Sequence, residues 1–112
     1  MQWPGRPDDL PRPVPPHDAH THTTFSDGRN TVIENVRAAE AVGLECVAIT
    51  DHVYLDTTDL DDRLREIQRA AERSPTTVLP GAECTILDPE GHLSIAPTDV
   101  GRLKFLLADF SG

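Results

Sequence analysis

The sequence predicts an α/β fold in which a parallel sheet is built from three to four consecutive βα units. Short apolar segments alternate along the chain with longer amphipathic ones, which is the pattern of strands followed by helices. The predicted strands 17–21 and 46–50 enclose one helical pattern within the roughly 30 residues that a βαβ unit needs. Such a unit has a right-handed crossover and brings its two strands side by side in parallel.

Both predicted helices carry start signals of their own. Thr31 and Glu34 have the spacing of a capping box, and Gly43 is placed to end the first helix. The second helix, 59–73, opens with three aspartates that suit the positive end of the helix dipole. We interpret these acids as a solvated helix start and not as a ligand cluster. The predicted buried faces are Val32, Val36 and Ala39 in the first helix, and Leu60, Leu64, Ile67 and Ala71 in the second.

Two further strands are predicted at 76–79 and 104–110. Pro80-Gly81 is expected to break the first of these strands, because proline lacks an amide donor for the sheet. Glu83 would then follow a strand end directly. A small hairpin is predicted across residues 84–95, where two short apolar segments flank a turn-like composition.

The length and the prolines set the domain organisation. A chain of 112 residues with 38% apolar side chains has room for one small domain. Residues 1–16 hold six of the ten prolines and predict an extended, flexible leader. The folded part is therefore predicted at 17–112. Cys46 and Cys84 lack the spacing of a C-x-x-C motif, and we expect both to be buried thiols and not nucleophiles.

The net charge of −9 restricts the classes of partner. Broad nucleic-acid binding needs clustered lysines and arginines, so nucleic acid is expected here only as a substrate. An acidic chain suits a site that holds several cations. The sequence has no apolar run of the roughly 18 residues that a membrane span needs, and its N-terminus lacks a signal-peptide pattern. We expect a cytoplasmic protein without a membrane partner.

The densest group of metal-capable side chains closes the first predicted strand. His20 and His22 are two residues apart, so on a strand both imidazoles point to one face and can reach one divalent ion. Asp27 lies in the next loop, His52 closes the second strand, and Glu83 follows the third. Functional residues collect at the carboxyl ends of parallel strands. These five side chains are therefore predicted to converge at one edge of the sheet.

Four short motifs follow one another along the chain: Asp18-x-His20-x-His22, Ser26-Asp27-Gly28, Ile49-Thr50-Asp51-His52 and Gly81-x-Glu83. Taken in order, they resemble the PHP (polymerase and histidinol phosphatase) domain. The similarity runs from about residue 17 to the end of the chain. It implies a seven-stranded (β/α) barrel, of which this chain would form an incomplete part, and the metal-dependent hydrolysis of phosphoesters by a histidinol-phosphatase-like enzyme.

The resemblance also implies a set of metal ligands. His20 and His22 would hold one divalent metal, and Glu83 would bridge that metal to a second. Asp27 and His52 would hold a third. Mixed histidine and carboxylate ligation suits Zn, Mn or Fe better than Mg or Ca. A complete domain would hold up to three such ions.

Two aspartates would act beside these ligands. Asp18 and Asp51 are implied as catalytic-site residues that orient the histidines. His92 matches no metal position of the family. The implied substrate is a small-molecule or nucleotide phosphoester.

The chain also departs from the family pattern. A complete PHP domain is longer and supplies further histidines and a closing Asp-x-His, so we expect the N-terminal half only, truncated after the fourth strand with an open sheet edge. One alternative is an amidohydrolase-like hydrolase, which also begins with H-x-H but usually bridges its metals with a lysine. Lys104 is the only lysine and lies on the wrong strand for that role. The other alternative is a non-catalytic PHP module of the kind associated with polymerases.

Overall fold

The computed structural model describes residues 14–110, and the predicted leader therefore falls largely on residues 1–13, which lie outside the described residues. Within 14–110 the chain alternates strands and helices, as the sequence predicts for an α/β fold. None of the helices in this part of the chain is long and apolar enough to cross a membrane. The elements are β1 (His17–Thr21), α1 (Val32–Ala41), β2 (Cys46–Ile49), β3 (His52–Val53), α2 (Leu60–Glu72), β4 (Thr77–Thr85), α3 (Pro97–Val100) and β5 (Phe105–Asp109).

The strands form one parallel sheet. β2 pairs with β1 along one edge and with the first half of β4 along the other. Glu83 and Cys84 of β4 pair with both β3 and β5, so β3 and β5 lie on opposite edges of β4. The strand order is therefore β1, then β2 continued by β3, then β4 and then β5. Within the described residues the sheet is open, which is consistent with part of a PHP-type barrel.

Two clusters of buried apolar side chains stabilise the two halves of the sheet. In the first cluster, α1 and α2 pack against β2 and the first half of β4. In the second, the β3 strand and the later half of β4 pack against the segment that precedes α3. Each fully buried Val or Ile contributes about 1.5–3 kcal/mol by leaving water. The clusters are Val32, Val36, Ala39, Val47, Ile49, Ile67, Ala70 and Val78, and then Val53, Ala82, Cys84 and Ile95.

The buried face of α2 differs from the predicted one. Leu60, Leu64 and Ala71 are only half-buried. The buried positions are Arg63, Ile67 and Ala70. These three follow helical spacing, so the contact face is rotated slightly from the apolar stripe of the sequence. The rotation buries a charged side chain, which the structure supplies with partners from other elements.

β4 continues through Pro80 and Gly81, so the predicted strand break is wrong. Pro80 has no amide N–H, but its carbonyl oxygen accepts a hydrogen bond from the Lys104 N–H at 2.8 Å. A Cβ atom at Gly81 would lie 2.7 Å from the carbonyl oxygen of Phe105, so only glycine lets β5 pair this closely. Glu83 consequently lies inside a strand and does not follow one.

The predicted hairpin across residues 84–95 is reduced to one antiparallel bridge, between Ile86 and Leu93. Cys84 already belongs to β4 and pairs with β5, which removes it from a hairpin. The turn itself is present, because the Gly91 N–H donates to the Asp88 carbonyl at 3.0 Å. Gly91 has a φ of 87°, a conformation that favours glycine.

The two cysteines are unpaired thiols, as the sequence predicts. Cys84 is buried, whereas Cys46 is half-buried. Burial raises the pKa of the Cys84 thiol, and the nearby carboxylates of Asp109 and Glu83 act in the same direction. The thiol form is therefore favoured at neutral pH, which argues against a nucleophilic role.

The predicted capping box at the start of α1 is formed. The Glu34 N–H donates to Thr31 Oγ1 at 3.3 Å, and the Thr31 N–H donates to Glu34 Oε1 at 2.9 Å. The second bond lowers the pKa of Glu34. Two amides at the helix start are thereby satisfied by side chains.

Replacing Thr31 with alanine is expected to lower the free energy of unfolding by about 0.5–2 kcal/mol, the usual loss for a helix cap. Urea unfolding followed by circular dichroism measures the change. Thr58→Ala is the matched control, because Thr58 is an exposed threonine in the connection between β3 and α2. Equal stability of the two variants would show that the cap contributes nothing.

Candidate metal centre

The five predicted ligand side chains converge on one side of the sheet. His20 lies in β1 and His22 follows that strand by one residue. Asp27 belongs to the loop before α1, His52 begins β3, and Glu83 lies inside β4. The convergence is the geometry that the sequence predicts, reached through strand pairing and one loop.

The first ligand group consists of His20, His22 and Glu83. The Nε2 atoms of His20 and His22 lie 2.6 Å and 2.9 Å from the same oxygen, Oε1 of Glu83. The centroids of the two imidazole rings are 5.0 Å apart. The Glu83 side chain is only 12% exposed, whereas His20 is open to solvent. One ligand atom from each residue lies within 4.8 Å of the others, which is close enough for a shared ion.

The second ligand group consists of His22, Asp27 and His52. The Asp27 carboxylate lies between the two imidazoles, with Oδ1 at 2.6 Å from His22 Nδ1 and Oδ2 at 3.2 Å from His52 Nε2. The two rings meet edge to face, with centroids 4.4 Å apart. His22 therefore belongs to both groups, one through each ring nitrogen. The family resemblance implies Asp27 and His52 without this third member.

Strand pairing sets the distance between His52 and Glu83. The two residues are direct partners in the parallel register of β3 and β4. The Glu83 N–H also donates to the Asp51 carbonyl at 3.0 Å. As a result, His52 Nδ1 lies 3.9 Å from Glu83 Oε2, and Glu83 stands between the two ligand groups.

Gly28 lets the Asp27 loop fold back tightly on the end of β1. Its N–H donates to the Thr23 carbonyl at 2.8 Å. A Cβ atom at this position would lie 2.3 Å from the His22 carbonyl oxygen. This is a steric clash with the backbone, so any other residue would push the loop away from His22. The Ser26-Asp27-Gly28 motif therefore combines a ligand with the glycine that brings it to His22.

Asp51 holds the loop, and among residues 14–110 the hydrogen bonds of its side chain go to Thr23 and Ser26 and not to an imidazole. Its buried carboxylate accepts hydrogen bonds from the Thr23 N–H and hydroxyl, both at 2.7 Å, and from the Ser26 hydroxyl at 2.6 Å. Ser26 Oγ in turn accepts a bond from the His52 N–H at 3.2 Å. The family resemblance implies that Asp51 orients the histidines, and the hydrogen bonds of its side chain reach them through Thr23 and Ser26 of the loop.

Asp18 also acts on backbone. Its exposed carboxylate accepts a hydrogen bond from the His20 N–H at 3.0 Å, and within residues 14–110 it makes no hydrogen bond to an imidazole. The contact stabilises the irregular end of β1, where the register with β2 shifts between Asp18 and Thr21. The Asp18 side chain therefore supports the position of His20 by binding the main chain of His20.

The electrostatics of the centre favour an ionised Asp27. The hydrogen bond with His22 lowers the pKa of the Asp27 carboxyl and outweighs the opposing effect of desolvation; the interactions with His22 and His52 further lower it. A carboxylate must be deprotonated to bind a metal. Asp27 is thus in its ligand form at neutral pH.

Comparison with known proteins assigns the chain to a family. Residues 18–108 match the PHP domain. The chain belongs to the PHP domain family. It is 36% identical over 101 residues to a probable phosphatase of Acetivibrio thermocellus, and this aligned region covers 83% of this chain and 40% of that protein. It is 33% identical over 96 residues to a probable phosphatase of Photobacterium profundum, covering 83% of this chain and 39% of that protein. The chain spans about two fifths of the length of these curated relatives.

Two residues of the PHP domain lie away from the centre. His92 pairs with Asp88 at 2.7 Å in an exposed turn, so the structure does not bring it to the ligand groups. Lys104 directly precedes β5, and its N–H donates a hydrogen bond to the Pro80 carbonyl of β4. This places the Lys104 backbone opposite Pro80, three residues before Glu83 on β4. The lysine that an amidohydrolase-like centre uses as a bridge therefore has no counterpart among the described contacts.

Two residues next to the centre, Tyr54 and Arg63, are not predicted from the sequence. Tyr54 stacks on His52, with ring centroids 5.5 Å apart and planes 12° from parallel. Arg63 reaches from α2 to the main chain of Phe25 and His52. The signal for Arg63 was its spacing from Asp59, because residues four apart on a helix face each other and can form an ion pair.

Proposed function

We propose that this PHP domain binds divalent metal and serves the hydrolysis of a small-molecule or nucleotide phosphoester. The observation that carries the proposal is the shared oxygen of Glu83, which lies within 2.9 Å of a ring nitrogen of both His20 and His22. Two relatives named as probable phosphatases support phosphoester chemistry. A cytoplasmic location and a substrate-only role for nucleic acid stay predictions from composition.

The donor set fits a transition metal. Each group offers imidazole nitrogens and one carboxylate, the ligands that suit Zn, Mn or Fe. An ion that lies about 2.0–2.2 Å from each ligand needs donor atoms spaced within a few ångströms of one another. The ligand atoms of each group satisfy this condition. When bound, such an ion supplies a Lewis acid for a phosphoryl oxygen and lowers the pKa of nearby water.

The charges of the ligands favour an anionic substrate. His20 and His22 are neutral when they ligate, so Glu83 is the only anion of the first group. A divalent ion there leaves a net positive charge, and the same holds for the second group with Asp27. A phosphoester anion is therefore attracted to the centre of a chain whose net charge is −9.

These 112 residues are expected to bind at most one ion tightly and to hydrolyse phosphoesters slowly. His22 cannot serve both groups fully, so an ion held by the first group leaves Asp27 and His52 alone for a second. Losing even a residue beside the ligands commonly costs about 10–100-fold in affinity or activity. Metal analysis of the purified chain after dialysis gives the number of bound ions. Hydrolysis of p-nitrophenyl phosphate with added Mn or Zn gives the rate.

A chelator should abolish the hydrolysis, and Glu83→Gln should lower both metal content and rate. Two or three tightly bound ions with fast turnover would show that the sharing of His22 is no limit. A chain that binds no metal would refute the proposed function. Metal binding without any metal-dependent hydrolysis would favour the non-catalytic PHP module.

A further inference from the structure

Arg63 is a charged residue in the packed face of α2. Its relative exposure is 7%, and it lies one helical turn before the buried Ile67. Burying a charge is costly unless partners replace water. Arg63 has three partners: its Nε donates to Asp59 Oδ1 at 2.8 Å, and its two terminal nitrogens donate to the carbonyls of His52 and Phe25 at 2.7 Å and 3.2 Å.

The two carbonyls belong to the two segments that bring the second ligand group together. His52 is itself a ligand on β3, and Phe25 precedes the ligand Asp27 by two residues on the loop. The guanidinium is planar, so its terminal nitrogens set a fixed distance between the two acceptors. Its central carbon also lies 5.6 Å from the centroid of the Phe25 ring, a further contact with the loop.

The packing of α2 does not by itself require an arginine at this position. Its buried neighbours along the helix, Ile67 and Ala70, are apolar, and apolar residues often replace buried ion pairs without loss of stability. In the first ligand group, His20 and Glu83 both lie on strands of the sheet, whereas Asp27 of the second group lies on a loop that strand pairing does not hold. Arg63 therefore acts on one group and not on the other.

We propose that Arg63 is a positioning residue for the second ligand group. It holds the Asp27 loop against β3, so that the Asp27 carboxylate meets His52 at 3.2 Å. Asp51 fixes the same loop through Thr23 and Ser26, and Arg63 fixes it from the side of α2. The inference rests on the proposed function, because it concerns the same metal centre.

A zinc titration followed by NMR of the imidazole nitrogens tests the proposal site by site. His20 reports on the first group only, and His52 reports on the second group only. Their signals are assigned with His20→Gln and His52→Gln. In Arg63→Met, the response of His52 is expected to need about 10–100-fold more Zn²⁺ than in the unmodified chain. The response of His20 is expected at the original concentration.

Arg65→Met is the matched control, because Arg65 is exposed on the same helix and pairs with Asp62 at 3.0 Å. It should leave both histidines unchanged. Arg63→Lys keeps the charge near Asp59, but one ammonium group cannot span both carbonyls. It is expected to show the same selective loss at His52 and decides the matter if Arg63→Met does not fold.

Three results would overturn the proposal or its basis. Equal weakening at His20 and His52 would mean that Arg63 only stabilises the fold. Unchanged responses at both histidines in Arg63→Met and Arg63→Lys would mean that the loop is positioned without it. A chain with its native residues that shows no zinc response at either histidine would refute the proposed metal centre itself, which separates that failure from a failure of the Arg63 inference.

Discussion

Replacement of His22 by alanine is expected to lower the affinity of the chain for Zn²⁺ by more than about 100-fold, the upper end of the loss caused by residues beside a ligand. His22 is the member common to both ligand groups: its Nε2 lies 2.9 Å from Glu83, and its Nδ1 lies 2.6 Å from Asp27. Its removal leaves two donors in each group. Competition for Zn²⁺ with a chromophoric chelator measures the affinity.

Alanine variants of the other histidines give zinc affinities with which the His22→Ala affinity can be compared. His20→Ala and His52→Ala each remove a ligand from one group and should lose less affinity than His22→Ala. His92→Ala is the matched control, because His92 pairs with Asp88 in an exposed turn. A His22→Ala chain that binds Zn²⁺ as tightly as His92→Ala would show that metal binds elsewhere.

Replacement of Asp51 by alanine is expected to lower the free energy of unfolding by about 2–5 kcal/mol, because it leaves buried donors without an acceptor. Asp51 is 4% exposed and accepts three hydrogen bonds from Thr23 and Ser26. Small domains have a total stability of only about 5–15 kcal/mol, so much of the variant should be unfolded in mild denaturant. Urea unfolding followed by circular dichroism measures the loss.

Two variants separate the hydrogen-bond network from the charge. Asp56→Ala removes an exposed aspartate near β3 and should change stability by less than about 0.5 kcal/mol. Thr23→Val keeps the shape of the side chain and removes the hydroxyl that donates to Asp51 and accepts from the Phe25 N–H, so it should cost about 1–3 kcal/mol. If Asp51→Ala unfolds at the same urea concentration as Asp56→Ala, the network does not stabilise the loop.

The features that the sequence predicts well depend on local pattern. β1 has the predicted bounds, His17–Thr21, and α1 begins with the predicted capping box at Thr31. The convergence of the five predicted ligand side chains is expected from strand ends, and His20 and His22 do lie at the end of β1. Glu83 reaches the same place from inside β4, and Asp27 reaches it from a loop. Three of them, His20, His22 and Glu83, meet at one carboxylate oxygen.

The features that the sequence does not reveal depend on partners distant in the chain. β3 has two residues, too few for any periodicity, and exists because His52 and Val53 pair with β4. β4 passes through Pro80, whose carbonyl accepts a hydrogen bond from the N–H of Lys104, the residue before β5. Arg63 is a charged residue, so its sequence position alone predicts exposure. It is buried because the Asp59 carboxylate and the carbonyls of His52 and Phe25 accept its hydrogen bonds.

Glu83 places a strict limit on length variation in this part of the PHP domain. Side chains alternate between the two faces of a strand, so one residue inserted or deleted between Thr77 and Glu83 would turn the carboxylate to the opposite face. A bulge that absorbed the change would break the pairing of residues 77–80 with β2 or of residues 81–85 with β5. The connections between elements have no such register to keep. Insertions and deletions should therefore be tolerated at 55–58 or 73–75 and excluded from β4.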